Sequence, residues 1–293
     1  MIKTILHSKN IHPRRWLNGI FSYSRYIGYI KPKLVDCGEL EYLARRRLLS
    51  KSWQPRLLSK PVGKRLFVLS PHPDDESIGA GGLLWAHRDV SEIHFVVMTK
   101  GEKGGALGEN PQGQELFKAK MAEARKSEFS KTASMLNAKS CHHLDFDEGK
   151  ISCDSKTVNK LRSIVDAIKP DIIFIPWFLD DRTDHRDTNI LYQKACSDLE
   201  TMVLGYEVWS MLEPNAVFDI SEYLDGKISL IKNYETQLRT VDYVNYAKGL
   251  ASVRAFQYQV NPCRNGAVEA YLALPNHEYC DLMRNLYHNN APL

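Results

Sequence analysis

At 293 residues, with 43% hydrophobic and 25% charged residues, the chain has the composition of a soluble globular protein and can bury one sizeable core plus an appendage. Six cysteines without a C-x-x-C pair argue against a disulfide framework or a cysteine zinc site and for a reduced, cytoplasmic setting. There is no apolar run of membrane-spanning length and no apolar leader with a small-residue cleavage site, so neither a transmembrane helix nor a secretory signal is expected.

The formal net charge of +4 conceals an asymmetry: residues 1–65 hold fifteen Lys or Arg against three acids, and the remainder is acidic at −8. Residues 1–64 therefore read as a basic extension to a main domain spanning 65–293. The extension is aromatic and basic over Trp16 to Ile27 and predicts a short helix from Leu40 to Lys51 that carries Arg45, Arg46 and Arg47. Two expectations stand for it: peripheral contact with an anionic membrane surface, or a solvated arm whose aromatics pack on the main domain. No nucleic-acid partner is expected, because no reader motif accompanies the charge.

The main domain alternates strand and helix. Leu66–Ser70 predicts a strand, Ile78–Asp89 a helix, Ile93–Thr99 a strand, and Gly101 to Gly108 a glycine-rich loop. Gln112–Leu136 has helical spacing, His142–Phe146 reads as a short strand, and Ser155–Ile168 as a helix stopped by Pro170. Asp171–Trp177 predicts a buried strand and Arg186–Leu199 a helix. Strands at Val203–Trp209 and Ala216–Ile220 follow, then helices at Ser221–Arg239 and Asp242–Phe256. This order predicts an α/β fold, a doubly wound, mainly parallel Rossmann-like sheet with helices on both faces.

Two polar loops interrupt the pattern, each just after a buried strand. The first runs His72-Pro73-Asp74-Asp75-Glu76, with a proline on each side of His72, and leads into Gly79-Ala80-Gly81-Gly82, small residues that let a helix approach closely. The second holds Asp180, Asp181, Arg182, Thr183, Asp184, His185, Arg186 and Asp187. Two strand ends of one sheet can converge, offering His72, Asp75 and His185. Two imidazoles and a carboxylate are the usual composition of an open catalytic zinc site. On spacing alone, two solvated charged loops remain the alternative. His142 and His143 point to opposite faces of a strand and read as structural, as do His87 and His94. A dinucleotide site and a serine-hydrolase elbow are both unsupported, since the G-x-G-x-x-G spacing and G-x-S-x-G are absent.

The first loop with its glycines resembles the signature of the LmbE/PIG-L family of zinc-dependent N-deacetylases of N-acetylglucosamine conjugates. Thr99 to Gly104 is similar to that family's T-x-G-E-x-G loop, Arg125-Lys126-Ser127-Glu128 to its R-x-x-E helix, Leu144 to Asp147 to its third-strand acid loop, and Pro176-Trp177 through Asp184-His185 to its second ligand segment. The likeness covers roughly 65 to 190, with weaker likeness to about 270. It implies Zn²⁺, or another divalent metal, on His72, Asp75 and His185, with Asp74 as general base and then acid toward the departing amine. It implies Asp184 orienting a ligand histidine, and Arg125, Asp145 and Asp147 meeting sugar hydroxyls. Arg182 stands where the family has a histidine; it can supply charge to an oxyanion but not proton transfer. Glu76 is expected to cap the following helix or support the loop rather than bind metal. The implied partner is an N-acetylated amino-sugar conjugate, lipid-linked or an envelope-glycan precursor. A deacetylase of a soluble thiol-cofactor or antibiotic precursor, and a non-catalytic metal- or sugar-binding protein, are the alternatives. The oligomeric state is not legible.

Overall fold

Leu66, Phe67, Val68 and Leu69 are consecutive and all fully buried, so the strand they form is covered on both faces. Such continuous apolar runs mark the interior of a parallel sheet with helices on either side. In the computed structural model, which describes residues 55–287 apart from 110, 181 and 262–264, this strand is an interior strand of an eight-stranded sheet. Most of the basic extension, residues 1–54, lies outside the described residues.

In chain order the elements are β1 (Arg56–Leu57), β2 (Arg65–Ser70), α1 (Asp75–His87), β3 (Glu92–Thr99), α2 (Gln114–Met135), β4 (Ser140–Phe146), α3 (Ser155–Ile168) and β5 (Ile172–Pro176). They continue with α4 (Thr183–Cys196), β6 (Met202–Tyr206), β7 (Ala216–Asp219), α5 (Leu224–Lys232), α6 (Glu235–Leu238), α7 (Tyr243–Gln257), β8 (Val268–Pro275) and α8 (Asn276–Tyr287). The strand order is β1-β7-β8-β6-β5-β2-β3-β4, and every pairing is parallel except those of β8 with β6 and β7. From β2 the chain winds outward through β3 to β4, then returns to place β5 on the other side of β2. The carboxyl ends of β2 and β5 therefore flank the switch point, where open α/β sheets hold their ligands. The mainly parallel doubly wound expectation holds.

Several details differ from the sequence reading. Helices α1 and α4 each begin three residues earlier than expected, which draws Asp75, Glu76, Asp184 and His185 out of the loops and into first helical turns. The helix expected over Ser221–Arg239 is broken into α5 and α6 at Tyr234, whose ring is buried and whose hydroxyl reaches Glu76 Oε1 at 2.5 Å. Strand β8 and helix α8 were not expected at all. Glu269 interrupts the apolar pattern of β8, yet it is buried. Its carboxylate accepts from Lys227 Nζ (2.6 Å), the Tyr271 hydroxyl (2.7 Å) and the N–H groups of Gly82 and Leu83 (2.8 Å each).

Helix α1 is pressed against the sheet through its glycines. A Cβ on Gly79 would lie 2.2 Å from Tyr206 Cδ2 and 2.8 Å from the Glu207 carbonyl oxygen, and one on Gly82 would meet Ile220 Cγ2 at 2.6 Å. His87 and His143 are structural: His87 Nδ1 donates to the Leu83 carbonyl (2.7 Å) while Nε2 accepts from Val62 N–H (3.0 Å), and His143 packs edge-on to Phe129. The close approach gives a test. Gly79→Ala should cost about 1–3 kcal/mol by overpacking. Gly249→Ala, at an exposed position of helix α7 with nothing within 4 Å, should instead gain up to about 1 kcal/mol of helix propensity. Urea unfolding of the two variants, showing opposite signs, checks the packing.

Candidate active site

The loop after β2 is pinned before any ligand enters. Thr99, at the end of β3, donates both its N–H (3.0 Å) and its hydroxyl (2.8 Å) to the Pro71 carbonyl. Ser70 Oγ lies 2.8 Å from both the His72 carbonyl and Glu76 Oε2. Glu76 is fully buried and also accepts from Ser77 Oγ (2.8 Å), the Tyr234 hydroxyl and the Asp74 N–H (3.2 Å). Burial pushes its carboxyl up, against the pull of these donors. It braces the loop from beneath, the role expected of it.

Asp74 caps α1 with φ 143°, a conformation that side-chain-bearing residues rarely adopt. Sparse backbone regions of this kind cost on the order of 1–3 kcal/mol and persist only where neighbours hold them. Here the holder is Arg125 of α2. Its Nη2 lies 2.9 Å from Asp74 Oδ1 and 2.5 Å from the Pro73 carbonyl, and its Nη1 donates to the Gly101 carbonyl (3.2 Å). Gly101, at φ +66°, makes room: a Cβ there would strike the guanidinium at 2.6 Å.

Asp75 Oδ2 accepts the His72 N–H (2.9 Å) and lies 3.0 Å from His72 Nδ1 and 3.2 Å from His185 Nε2. The two imidazole rings are 5.5 Å apart between centroids. His72 Nε2 meets Asp184 Oδ2 at 3.0 Å, and Asp184 is held by the Gly149 N–H (2.8 Å). His185 is fully buried, yet among the described residues neither ring nitrogen has a hydrogen-bond partner; Nδ1 faces Asp180 Oδ1 at 3.6 Å. A buried Nε2 left without a hydrogen bond while aimed at a carboxylate and a second imidazole fits a metal ligand. The donor atoms of His72, Asp75 and His185 all lie within 4.8 Å of one another and could hold a divalent ion. An overlapping group, His72, Glu148 and Asp184, also meets this spacing. Asp184 already bonds His72 Nε2 and Gly149, the position of an outer partner that fixes a ligand imidazole.

The electrostatics follow from burial opposed by close charge. Burial alone would lower the His72 pKa, but Asp75 and Asp184 outweigh it and hold the ring up at about 10. His185 is likewise disfavoured by burial and raised, by Asp75 and Asp180, to about 8. Burial would raise Asp75, but the two imidazoles hold its carboxyl far below the usual range. Asp74 is pushed up to about 7 by burial and by Asp75, against Arg125 and His72.

The cleft above these groups has a volume of ≈ 400 Å³, and Asp74, Arg125, Arg182 and Asp184 all line it. Arg125 serves Asp74 and the loop backbone. Asp145 and Asp147 are not part of the lining. Asp145 is exposed at φ 57°, and Asp147 pairs with Lys100 (2.8 Å) and Lys150 (3.3 Å), so it is Glu148 that borders the cleft. Arg182 lies with Cζ 4.0 Å from the Trp209 ring centroid. Sequence reasoning assigned no role to Asp180, Glu148, Trp209 or Tyr243. Asp180 stood in view in the second loop; the other three carry no motif signal.

With their pKa values raised to about 10 and about 8, the His72 and His185 imidazoles would be protonated at pH 7 and would have to lose those protons to bind an ion. Raised imidazoles favour folding only while protonated, so the metal-free protein should lose stability as pH climbs through about 8 and then about 10. Calorimetric titration with Zn²⁺ in buffers of differing ionisation enthalpy should show about two protons released per ion at pH 7. Asp184→Asn should weaken the ion about 10–100-fold. An unchanged affinity would remove Asp184 from the site.

Residues 67–196 match the family model described as PIG-L, GlcNAc-PI de-N-acetylase. Diacetylchitobiose deacetylase of Thermococcus kodakarensis is 25% identical over 193 residues, which is 59% of this chain and 70% of that protein. Among solved structures, the N,N'-diacetylchitobiose deacetylase of Pyrococcus horikoshii superposes with a TM-score of 0.62 at 20% identity, covering 84% of this chain and 96% of that one. The 4-carboxy-2-hydroxymuconate hydratase GalB of Pseudomonas putida superposes with a TM-score of 0.58 at 21% identity, over 72% of this chain and 96% of that one. These structural likenesses establish the fold, which thus carries hydration as well as deacetylation. With both polar loops and Arg125 inside the matched segment, residues 67–196 are a PIG-L (LmbE-like) family domain.

Proposed function

We propose that the chain is a zinc-dependent N-deacetylase that hydrolyses the acetamide of an N-acetylated amino-sugar conjugate. The observation that carries this reading is Asp74. A purely metal-binding loop has no use for a second buried carboxylate, set beside the ligand carboxylate at the cost of a strained backbone and clamped by an arginine. Its matched relatives in the diacetylchitobiose deacetylases support the substrate class.

His72, Asp75 and His185 would hold the ion, which when bound supplies Lewis acidity, lowering the pKa of water and polarising an acyl oxygen. Asp74 does the proton work. Its carboxylate faces the cleft beside Asp75 and accepts a proton from the attacking water. A carboxyl pushed up to about 7 can hold that proton and then release it to the departing amine, which is a very poor leaving group unless protonated. A divalent ion beside it lowers this pKa again, so the balance between holding and releasing depends on both the ion and Arg125. Arg125 keeps Asp74 aimed through its 2.9 Å ion pair. Asp184 holds the His72 ring, and Asp180 faces the far nitrogen of His185.

Free-amine release from N-acetylhexosamine conjugates, including N,N'-diacetylchitobiose, tests the reading. Zinc-loaded wild type should release amine, and Asp74→Asn should lose about 10²–10⁴-fold in kcat with its zinc content unchanged. A zinc-loaded wild type that hydrates an unsaturated diacid and releases no amine would move the chain to the hydratase chemistry of its structural neighbour.

The conjugate is proposed to be lipid-linked, reached by the basic, aromatic extension N-terminal to the main domain resting on an anionic membrane. Among the described residues no helix is long and apolar enough to cross one. Sedimentation with phosphatidylserine vesicles should fall when the Lys and Arg of residues 1–54 are neutralised, and sedimentation that does not change would leave a soluble conjugate as the substrate.

A further inference from the structure

Arg182 is the cation in the cleft that the reaction above leaves unused. Its backbone is fixed as the residue capping α4, with its N–H on the Asp180 carbonyl (2.9 Å) and its own carbonyl accepting from Arg186 N–H (3.0 Å). The guanidinium lies against the Trp209 indole at 4.0 Å and is exposed; among the described residues no carboxylate pairs with it. Trp209 is a firm support. Its backbone N–H donates to Asp180 Oδ2 (2.9 Å), and its ring meets Tyr243 edge-on at 6.1 Å. A guanidinium stacked by one face on an aromatic ring keeps its in-plane N–H donors for another partner, and those donors match the oxygens of a carboxylate or phosphate.

The other charges in the cleft are already engaged. Asp74 is held by Arg125, Asp75 lies between two imidazoles, Asp184 holds His72, and Glu148 accepts the Lys103 N–H (2.9 Å). A second exposed cation, Lys103, lines the same cleft, with its ammonium anchored on the Glu148 carbonyl.

We propose that Arg182, stacked on Trp209 and joined by Lys103, reads an anionic group, phosphate or carboxylate, on the part of the conjugate next to the N-acetylated sugar. The inference rests on the deacetylase reading and narrows its substrates to negatively charged conjugates. It differs from a role for Arg182 at the oxyanion, which would act on every substrate alike.

The test compares N-acetylglucosamine 1-phosphate with the neutral methyl N-acetylglucosaminide, in zinc-loaded wild type, Arg182→Gln and Trp209→Leu. Both kcat/KM and Kd by ligand-observed NMR are read, with zinc content as a folding and loading control. Wild type should favour the phosphate by about tenfold or more, through KM and Kd, and added salt should erode that preference. In both variants the ratio should fall toward one. A third arm presents N-acetylglucosaminyl-phosphatidylinositol in neutral phosphatidylcholine vesicles. A preference shown by the soluble phosphate supports a phosphorylated sugar in general, and one confined to vesicles supports a lipid headgroup as the source of the anion. Equal Kd values for charged and neutral sugars in every arm of the wild type, or an Arg182→Gln loss equal for both, would overturn the proposal. If neither sugar is hydrolysed the deacetylase reading fails, while the Kd ratio still decides the role of Arg182.

Discussion

One oxygen, Asp75 Oδ2, faces two imidazoles while accepting a backbone N–H, and these groups arrive by different routes. His72 comes from an extended, proline-flanked turn after β2. Asp75 itself comes from the first turn of α1, and His185 from the first turn of α4 after β5. The parallel register that places Leu66 opposite Ile172 sets the two strand ends level, so the two helix starts meet. Asn189 completes the alignment by donating to both the Pro176 and the His185 carbonyls, fastening α4 to the strand it follows. A parallel sheet without the reversal between β2 and β5 would separate these groups.

Around that oxygen the fold accepts several buried charges, each of which would be costly alone. Glu76 lies under the loop among hydroxyl and amide donors, and Glu269 is reached by Lys227, Tyr271 and the α1 backbone. Glu207 pairs with Arg254 and accepts the Leu212 N–H. Gly82 shows how backbone and charge are coupled: without a side chain it lets α1 pack on Ile220, and its N–H meets a carboxylate from the far strand β8. The antiparallel strand beside β6 is thereby tied to the helix that carries Asp75. Rigidity at the site is thus drawn from parts of the chain distant in sequence.

The central architecture was legible because a buried parallel strand is a continuous apolar run, and the polar loops stood out against Leu66–Ser70 and Ile172–Pro176. The convergence of His72, Asp75 and His185 followed from that alternation. Helix starts were less legible: acids clustered at Asp74–Glu76 and Asp184 look like loop residues, whereas carboxylates favour the amino-terminal turn of a helix. β8 escaped notice because a charged residue in a strand signals exposure unless its partners are known, and the partners of Glu269 lie 42 and 187 residues away. Arg125 is the subtler case. Helical spacing gives the face on which it lies, but only the tertiary structure shows that the face opens onto Asp74 and the Pro73 carbonyl.

Asp74 carries two demands that pull in opposite directions. Its backbone, at φ 143°, is one that glycine adopts at no steric cost, and a glycine would relieve the strain held by Arg125. On the proposed mechanism the same exchange would delete the carboxyl group that accepts and returns the proton. Selection for stability alone would therefore drift this position toward the residue that silences the enzyme. If Asp74 does that proton work, the chain trades folding free energy for turnover at this position.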